Sequence, residues 1–390
     1  MRKVIETLLI TGAAYAATLV YTYTALTIST PETIADLNRY ESILTIIAGL
    51  VSLGLIQNAT REIALNPDSW ERSYKNTQSL RVGLSIAICL ASIILYCTTQ
   101  NNIYLLGLAS LPMALSGEYA LYALGQPTKG SLASLFRAVV FCILLMTALI
   151  YTDPELSTLT ICAISGLSYL ICGATASKML RTSYLPRLRT PELAELKVVT
   201  MLALVVFIYN NLKPSLILVI ANDISAEDHS YYFEAYKLFF ILFSVRRVLV
   251  QAQYSEIMRS LNSKRHDYLI TMAMAACIGC LWLIKWLLAL LDINFVGLQK
   301  DILIDVSIIT AMSCIAPTAF TKIFALKKDA LIILPILTTA LLIFIGAKLI
   351  GSGNGAISQY LYLLGASELA LSICCAGIIR HNLKSELKAK

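Results

Sequence analysis

Charge is scarce in this chain of 390 residues. Only 14% are Asp, Glu, Lys or Arg, against 57% hydrophobic, and the mean hydropathy is +0.72. Soluble domains carry about 25% charged residues, so the composition excludes an ordinary soluble enzyme. Histidine is rarer still, and all three (His229, His266 and His381) fall in loops or the tail. Catalytic signatures are missing too. There is no G-x-x-x-x-G-K-[ST] phosphate loop, so the chain does not hydrolyse ATP by itself, and there is no nucleophile elbow. Ten cysteines do not fill the gap. Cys277 and Cys280 make a C-x-x-C inside an apolar run, without the second pair, nearby histidine or aqueous loop that zinc or thioredoxin chemistry needs. They read as small residues packed between helices. No enzyme activity, cofactor, catalytic residue or metal site is expected.

What is present is apolar length. About 20 mostly apolar residues cross the hydrocarbon of a bilayer. Twelve such segments lie near 4–27, 41–59, 80–99, 102–123, 131–151, 157–177, 197–221, 230–252, 268–291, 302–325, 329–349 and 355–379. Most of the 31 basic residues fall in the termini and in every second loop, while only Arg39, Lys300 and Lys348 fall on the opposite side. The positive-inside bias then places both termini in the cytoplasm. Met1-Arg2-Lys3, an apolar run and Ala14-Tyr15-Ala16 resemble a secretory signal, but the run continues through Ile28 and eleven spans follow, so a retained first span is expected. The net charge of +7 is spread as cytoplasmic anchors, such as Arg181, Arg187, Arg189 and Lys197, that face anionic lipid.

The longest cytoplasmic connections are 60–80, 178–196 and 253–267, and the middle one divides six spans from six. The expected division is an N-terminal bundle at 1–180, a linker at 181–196 and a C-terminal bundle with a tail at 197–390. Leu55-Ile56-Gln57 through Glu62-Ile63 matches Leu249-Val250-Gln251 through Glu256-Ile257 at an offset of almost half the chain. An even number of spans per half gives parallel repeats about the membrane normal, with a cavity expected between them and alternating access by rocking. The loop after span 2, Asn58 through Trp70, lacks the acidic and G-R/K-R/K pattern of major-facilitator proteins.

That same loop carries a resemblance. Tyr40, then Gly54-Leu55, Arg61, Ile63 and Ala64, resemble the "G-L-x-x-x-x-x-R-x-I-A" segment of the Wzx-type oligosaccharide-lipid flippases in the polysaccharide-exporter superfamily. Asn210-Asn211-Leu-Lys213-Pro214 is followed by Tyr232-Phe-Glu234-Ala235-Tyr236-Lys237-Leu238, which is similar to that family's "G-x-Y-x-x-A-x-K/R-L" opening of span 8, with Tyr231 where a small residue is usual. Gly353, Gly355 and Ala356 resemble its glycine-rich approach to the last span. The resemblance implies the all-α, twelve-span fold of the multidrug-and-toxin extrusion proteins, with spans 1, 2, 7 and 8 lining the cavity. It also implies a bacterial inner-membrane flippase that moves undecaprenyl-pyrophosphate-linked oligosaccharide repeat units to the periplasmic leaflet for O-antigen, as in lipopolysaccharide, or a related surface polysaccharide. Expected partners are that lipid, the bilayer, a polysaccharide polymerase and a chain-length regulator.

Ionisable residues inside spans face the bundle interior or a wet cavity by default. Glu118 and Arg137 flank the short 125–129 turn at nearly equal distances and are expected to pair, as are Lys285 and Asp305, while Lys322 is expected to snorkel. The substrate-binding candidates are Arg61, Asn210, Asn211, Lys213, Lys237, Arg246, Arg247 and Tyr15. Guanidinium groups fork around phosphate oxygens, lysines act as point charges, and tyrosine offers a ring and a hydroxyl to sugars. Tyr21 and Tyr23 fit the role of interfacial anchors better. Glu234, three residues before Lys237, pairs with Lys213 or Lys237 or takes part in coupling. Glu368, in mid-span with no obvious partner, is a coupling candidate, with a hydrogen bond to a neighbouring polar side chain as the alternative.

Two other readings stay open. A cation-coupled drug or toxin exporter of the same superfamily wants acidic residues in its cavity, often an aspartate in span 1, where this chain has only Glu6 near the cytoplasmic end. A non-transporting assembly partner of polysaccharide synthesis is the other. A polymerase fits poorly, because the outside loops run to about fifteen residues or fewer.

Overall fold

A computed structural model of the chain describes residues 2–151, 157–183, 226–259, 264–290, 300–326, 329–350 and 356–388. Most of the expected linker, all of span 7 with Asn210, Asn211, Lys213 and Pro214, and Gly353 and Gly355 lie outside the described residues, as does the side chain of Glu234. The chain forms two compact units, Met1–Asn222 and Asp223–Lys390.

The described part of the first unit runs α1 (Arg2–Ile28), α2 (Pro31–Ser52), α3 (Leu55–Leu65), α4 (Trp70–Thr99), a 3₁₀ segment (Asn102–Ala109), α5 (Ser110–Ala114), α6 (Glu118–Ala123), α7 (Pro127–Tyr151) and α8 (Thr158–Leu180). Local chemistry sets these ends. Thr30 caps α2 by accepting from Thr33 N, with Pro31 and Glu32 in the first turn where a missing N–H and a negative charge are favoured. Ser157 caps α8 in the same way through Thr160 N. Leu53 (φ 31°) and Gly54 (φ 69°) both take left-handed backbone, which turns α3 by 51° from α2. Span 2 therefore begins earlier than its hydropathy indicates, and Arg61 sits on a separate helix rather than in a loop. α4 also starts ten residues before its expected boundary, bringing Tyr74, Gln78 and Arg81 into the fold.

The described part of the second unit runs α9 (Ala226–Ala252), α10 (Tyr254–Arg259), α11 (Arg265–Leu290), α12 (Lys300–Ser313), α13 (Ala319–Ala325), a 3₁₀ turn (Asp329–Ile332), α14 (Ile333–Leu349) and α15 (Ala356–Lys388). α12 and α14 both pack on α15. Small residues permit this. A Cβ on Gly365 would lie 3.2 Å from Ile309 Cα, and one on Gly346 would lie 2.4 Å from a Leu363 methyl. Close backbone approach through glycine is how helices associate where lipid removes the hydrophobic drive between them.

Among the described residues, seven helices are long and apolar enough to cross a bilayer, or eight if the bent α2–α3 pair counts as one span. Their outward faces are greasy: α11 exposes Met272, Leu283, Trp286 and Leu290, and α14 exposes Leu334, Leu341, Phe344 and Leu349. Contiguous apolar surface on this scale is a lipid contact. The architecture is all-helical and multi-spanning, as expected.

Besides the bent span 2, two spans depart from the expected continuous helix. Span 4 breaks at Leu115–Gly117, between α5 and α6, and span 10 breaks at Cys314–Thr318, between α12 and α13. Gly117 marks the first break and Pro317, which lacks an N–H and disfavours helix in the residue before it, the second. The same span breaks in each unit, at nearly the offset of the internal sequence match. Tyr74 packs directly on Gly117, where a Cβ would fall 2.5 Å from the Tyr74 hydroxyl oxygen. Gly117→Ala is therefore expected to cost about 1–3 kcal/mol by overpacking. Thermal unfolding of the purified protein checks this, with Gly12→Ala, whose Cβ meets nothing within 4 Å, causing no loss.

Candidate functional site

The candidate residues divide between the units. In the first, α3 turns Ala59 and Ile63 into a core with Tyr74, Tyr119, Leu121 and Cys172. Arg61 lies on the same helix, is buried, and donates to Asn58 Oδ1 at 2.7 Å. Asn58 in turn donates to Glu62 Oε1, and Ser73 to Glu62 Oε2. Arg61 is thus a buried cation held by its own helix. Tyr15 is half-buried on α1.

The largest fully buried side chain in this unit is Arg81, which the sequence reading overlooked. Nη2 donates to Met113 O at 2.7 Å and Ser116 Oγ at 3.0 Å, while Nη1 donates to Ser116 O at 2.5 Å and Gln78 Oε1 at 2.9 Å. Gln78 Nε2 donates to Ser116 O at 3.1 Å. The break in span 4 frees those carbonyls, and non-helical backbone at membrane depth persists only where such groups are satisfied inside the protein. Arg81 and Gln78 supply the missing donors.

The second unit solves the same problem with another arginine. Arg246 on α9 donates through Nη1 to Ser313 O, at the break in span 10, and through Nη2 to Glu368 Oε2 at 3.2 Å. Its guanidinium also lies 4.3 Å from the centroid of Phe243. Glu368 therefore has a partner, on a helix remote in sequence, that the expectation of a lone mid-span carboxyl did not include. The far side of the break is capped by Asp267, whose Oδ1 accepts from Thr318 N and Thr318 Oγ1. Lys237 is buried on α9, and Arg247 is exposed with no partner among the described residues.

Three charge expectations need correction. Lys322 does not snorkel as a lone cation: it is buried and paired with Asp267 Oδ2 at 2.8 Å. Among the described residues no ion pair joins Glu118 to Arg137. The Arg137 guanidinium lies 4.7 Å from the centroid of Tyr169, and Glu118 Oε2 accepts from Cys172 Sγ. Tyr21 is no interfacial anchor; it is buried, with its hydroxyl donating to Glu41 Oε1 at 2.8 Å. Asp305 accepts from Tyr362 OH at 2.6 Å.

Taken together, long lipid-facing helices and paired charges at broken spans define a multi-pass helical membrane protein. Its particular fold is that of the multidrug-and-toxin extrusion (MATE) transporters. An outward-facing multidrug resistance MATE family transporter of the MOP superfamily superposes with TM-score 0.67 at 12% identity, covering 100% of this chain and 96% of its own. A MOP superfamily transporter from Pyrococcus furiosus gives 0.68 at 12% identity, covering 98% and 96%. MATE in the straight conformation gives 0.65 at 14% identity, covering 100% and 96%. No sequence family and no curated protein matches this chain.

Proposed function

We propose that this protein is an alternating-access flippase for undecaprenyl-pyrophosphate-linked oligosaccharide repeat units in a bacterial inner membrane, with both termini cytoplasmic. The observation that carries the reading is the sign of the buried charge. In the described first unit the two buried charged side chains, Arg61 (8% exposed) and Arg81 (2% exposed), are both arginines. α1, where a cation exporter wants a carboxylate, has a single acidic residue, Glu6, near its start. The Pyrococcus furiosus transporter of this fold is described as having a binding pocket of reverse polarity that suggests a different function, so the fold tolerates more than one pocket charge.

Arg61, Lys237, Arg246 and Arg247 are the proposed pyrophosphate contacts among the described residues, joined by Lys213, Asn210 and Asn211 of span 7, with Tyr15 toward the sugars. Glu234 and Glu368 are the coupling candidates. A polysaccharide polymerase and a chain-length regulator are the partners such a substrate implies. The cation-coupled exporter remains the alternative.

Reconstitution into vesicles tests the reading, scoring how fast an undecaprenyl-pyrophosphate-linked oligosaccharide in the inner leaflet becomes accessible to external glycosidase. Protein-dependent exposure is expected. Transport of a cationic dye with no exposure would assign the exporter function instead. Arg61→Ala and Lys213→Ala are expected to slow exposure about tenfold, since one charge-assisted hydrogen bond is worth about 1.5–3 kcal/mol. Lys75→Ala is the control, because its pair with Glu71 is more than half exposed and such surface pairs contribute little. Lys322 does not serve as a control, since its loss strands Asp267.

A further inference from the structure

One polar cavity in the first unit takes no part in the function proposed above. It has a volume of about 500 Å³ and lies where α2 begins, α4 ends and α8 begins. By the positive-inside expectation this end faces away from the cytoplasm. Asp36, Arg39 and Tyr40 line it from one face of α2, at the i, i+3, i+4 spacing that stacks side chains on successive turns. Gln100, Asn101 and Asn102 line it from the connection after α4.

The hydrogen-bonding capacity here is largely unspent. Asp36 and Arg39 are exposed and three residues apart, yet no ion pair joins them and neither has a partner among the described residues. Asn102 makes no side-chain bond among the described residues. Among the described residues Asn101 uses only its Oδ1, to cap Ile103 N at 3.0 Å, and Gln100 only its Nε2, to Cys97 O at 3.1 Å. These bonds fix the loop and leave an amide donor and an amide acceptor open. Gln100 itself sits at φ 55°, the left-handed turn that brings the three carboxamides to the cavity. Tyr40 is held in place by Thr158 Oγ1, which donates to its hydroxyl at 3.3 Å.

Arg39 is also the only basic residue of the first six spans and their loops that falls on this side of the charge pattern. An anchor to anionic lipid belongs on the other side. Its position needs another explanation, and a guanidinium with no partner among the described residues, at the mouth of a cavity, supplies one.

Mixed donors and acceptors, one aromatic ring and almost no apolar wall suit neither an apolar drug nor a bare cation. They suit a polyhydroxylated ring, which offers hydroxyls that both donate and accept and an apolar face to an aromatic side chain. The volume lies within the usual range of ligand pockets. We propose that this cavity is a saccharide-binding site at the non-cytoplasmic end of the first unit, with Arg39 giving preference to a sugar that bears a carboxylate. The choice of ligand rests on the glycan-flippase reading, for which this site would hold the head group's sugars after they cross.

The test is saturation-transfer-difference NMR on the full chain in nanodiscs, with galactose and galacturonate as probes. The wild type is expected to transfer saturation to both and to prefer galacturonate. Arg39→Ala is expected to remove that preference, weakening galacturonate about tenfold for one lost charge-assisted bond. Asn102→Ala is expected to weaken both sugars. Both positions are exposed, so the variants fold. No transfer in the wild type, or equal transfer in wild type and both variants, overturns the proposal. Its failure is separable from that of the flippase reading: sugar binding needs no lipid-linked substrate, and glycosidase exposure in vesicles needs no measurable affinity for a free monosaccharide.

Discussion

Arg81→Met should be among the most damaging single substitutions in the first unit. The side chain is 2% exposed and supplies donors to Met113 O, Ser116 O and Ser116 Oγ. Methionine fills similar volume without a donor, so the loss isolates hydrogen bonding from packing. Gln78 still reaches Ser116 O and Ser116 Oγ still donates to Met113 O, so what is lost is the charge-assisted bonding to these carbonyls rather than every partner they have. A hydrogen bond to a charged group is worth about 1.5–3 kcal/mol, giving about 3 kcal/mol in total. For a unit of this size that corresponds to roughly 6–12 °C in Tm. Thermal unfolding in detergent, followed by tryptophan fluorescence, checks the value. Arg81→Lys should fall between the two, because one ammonium cannot span both carbonyls as a planar fork does. Unchanged stability in Arg81→Met would mean that the break does not depend on this arginine.

The second large effect is expected at Arg246 and Glu368, whose side chains are 10% and 2% exposed. Removing one partner of a buried pair leaves an uncompensated charge and costs about 3–5 kcal/mol, whereas replacing both with apolar residues is often nearly neutral. Glu368→Leu alone should therefore destabilise strongly, and Arg246→Met with Glu368→Leu should recover much of the loss. Recovery should stay incomplete, since Arg246 also serves Ser313 O. A double-mutant cycle in Tm measures the coupling; simple additivity would contradict the pairing. Glu368→Gln keeps an acceptor for Arg246 but gives up both the charge and the titratable site, so it should destabilise less than Glu368→Leu. Transport lost in Glu368→Gln but retained in the Arg246→Met, Glu368→Gln double variant would contradict Glu368 as the coupling group; transport lost in both would support it.

Much of the fold was legible because hydropathy accumulates over twenty residues at a time. A run such as Pro127–Tyr151 or Arg265–Leu290 is recognisable wherever its neighbours lie. Interruptions of a few residues do not register at that scale, so Leu115–Gly117 and Cys314–Thr318 passed as continuous helix, although Gly117 and Pro317 were visible. Arg81 was missed for a related reason. At the edge of a span a lone arginine reads as a cytoplasmic anchor, and only Gln78 one turn earlier hints at a shared polar face. Partners remote in sequence were out of reach. Arg246 and Glu368 stand 122 residues apart, and Lys322 finds its acid 55 residues away on Asp267, at the start of α11. Arg61 was singled out as a candidate by motif, but its helix was not, because the left-handed Leu53–Gly54 turn is a backbone event with only a glycine to announce it.

The most direct test of the flippase account is complementation of a deletion strain, scoring surface polysaccharide together with lipid-linked repeat units inside the cell. The account predicts that repeat units accumulate only in the deletion, and that this chain clears them and restores the polymer. Unchanged polymer, accompanied by altered efflux of cationic dyes, would contradict it.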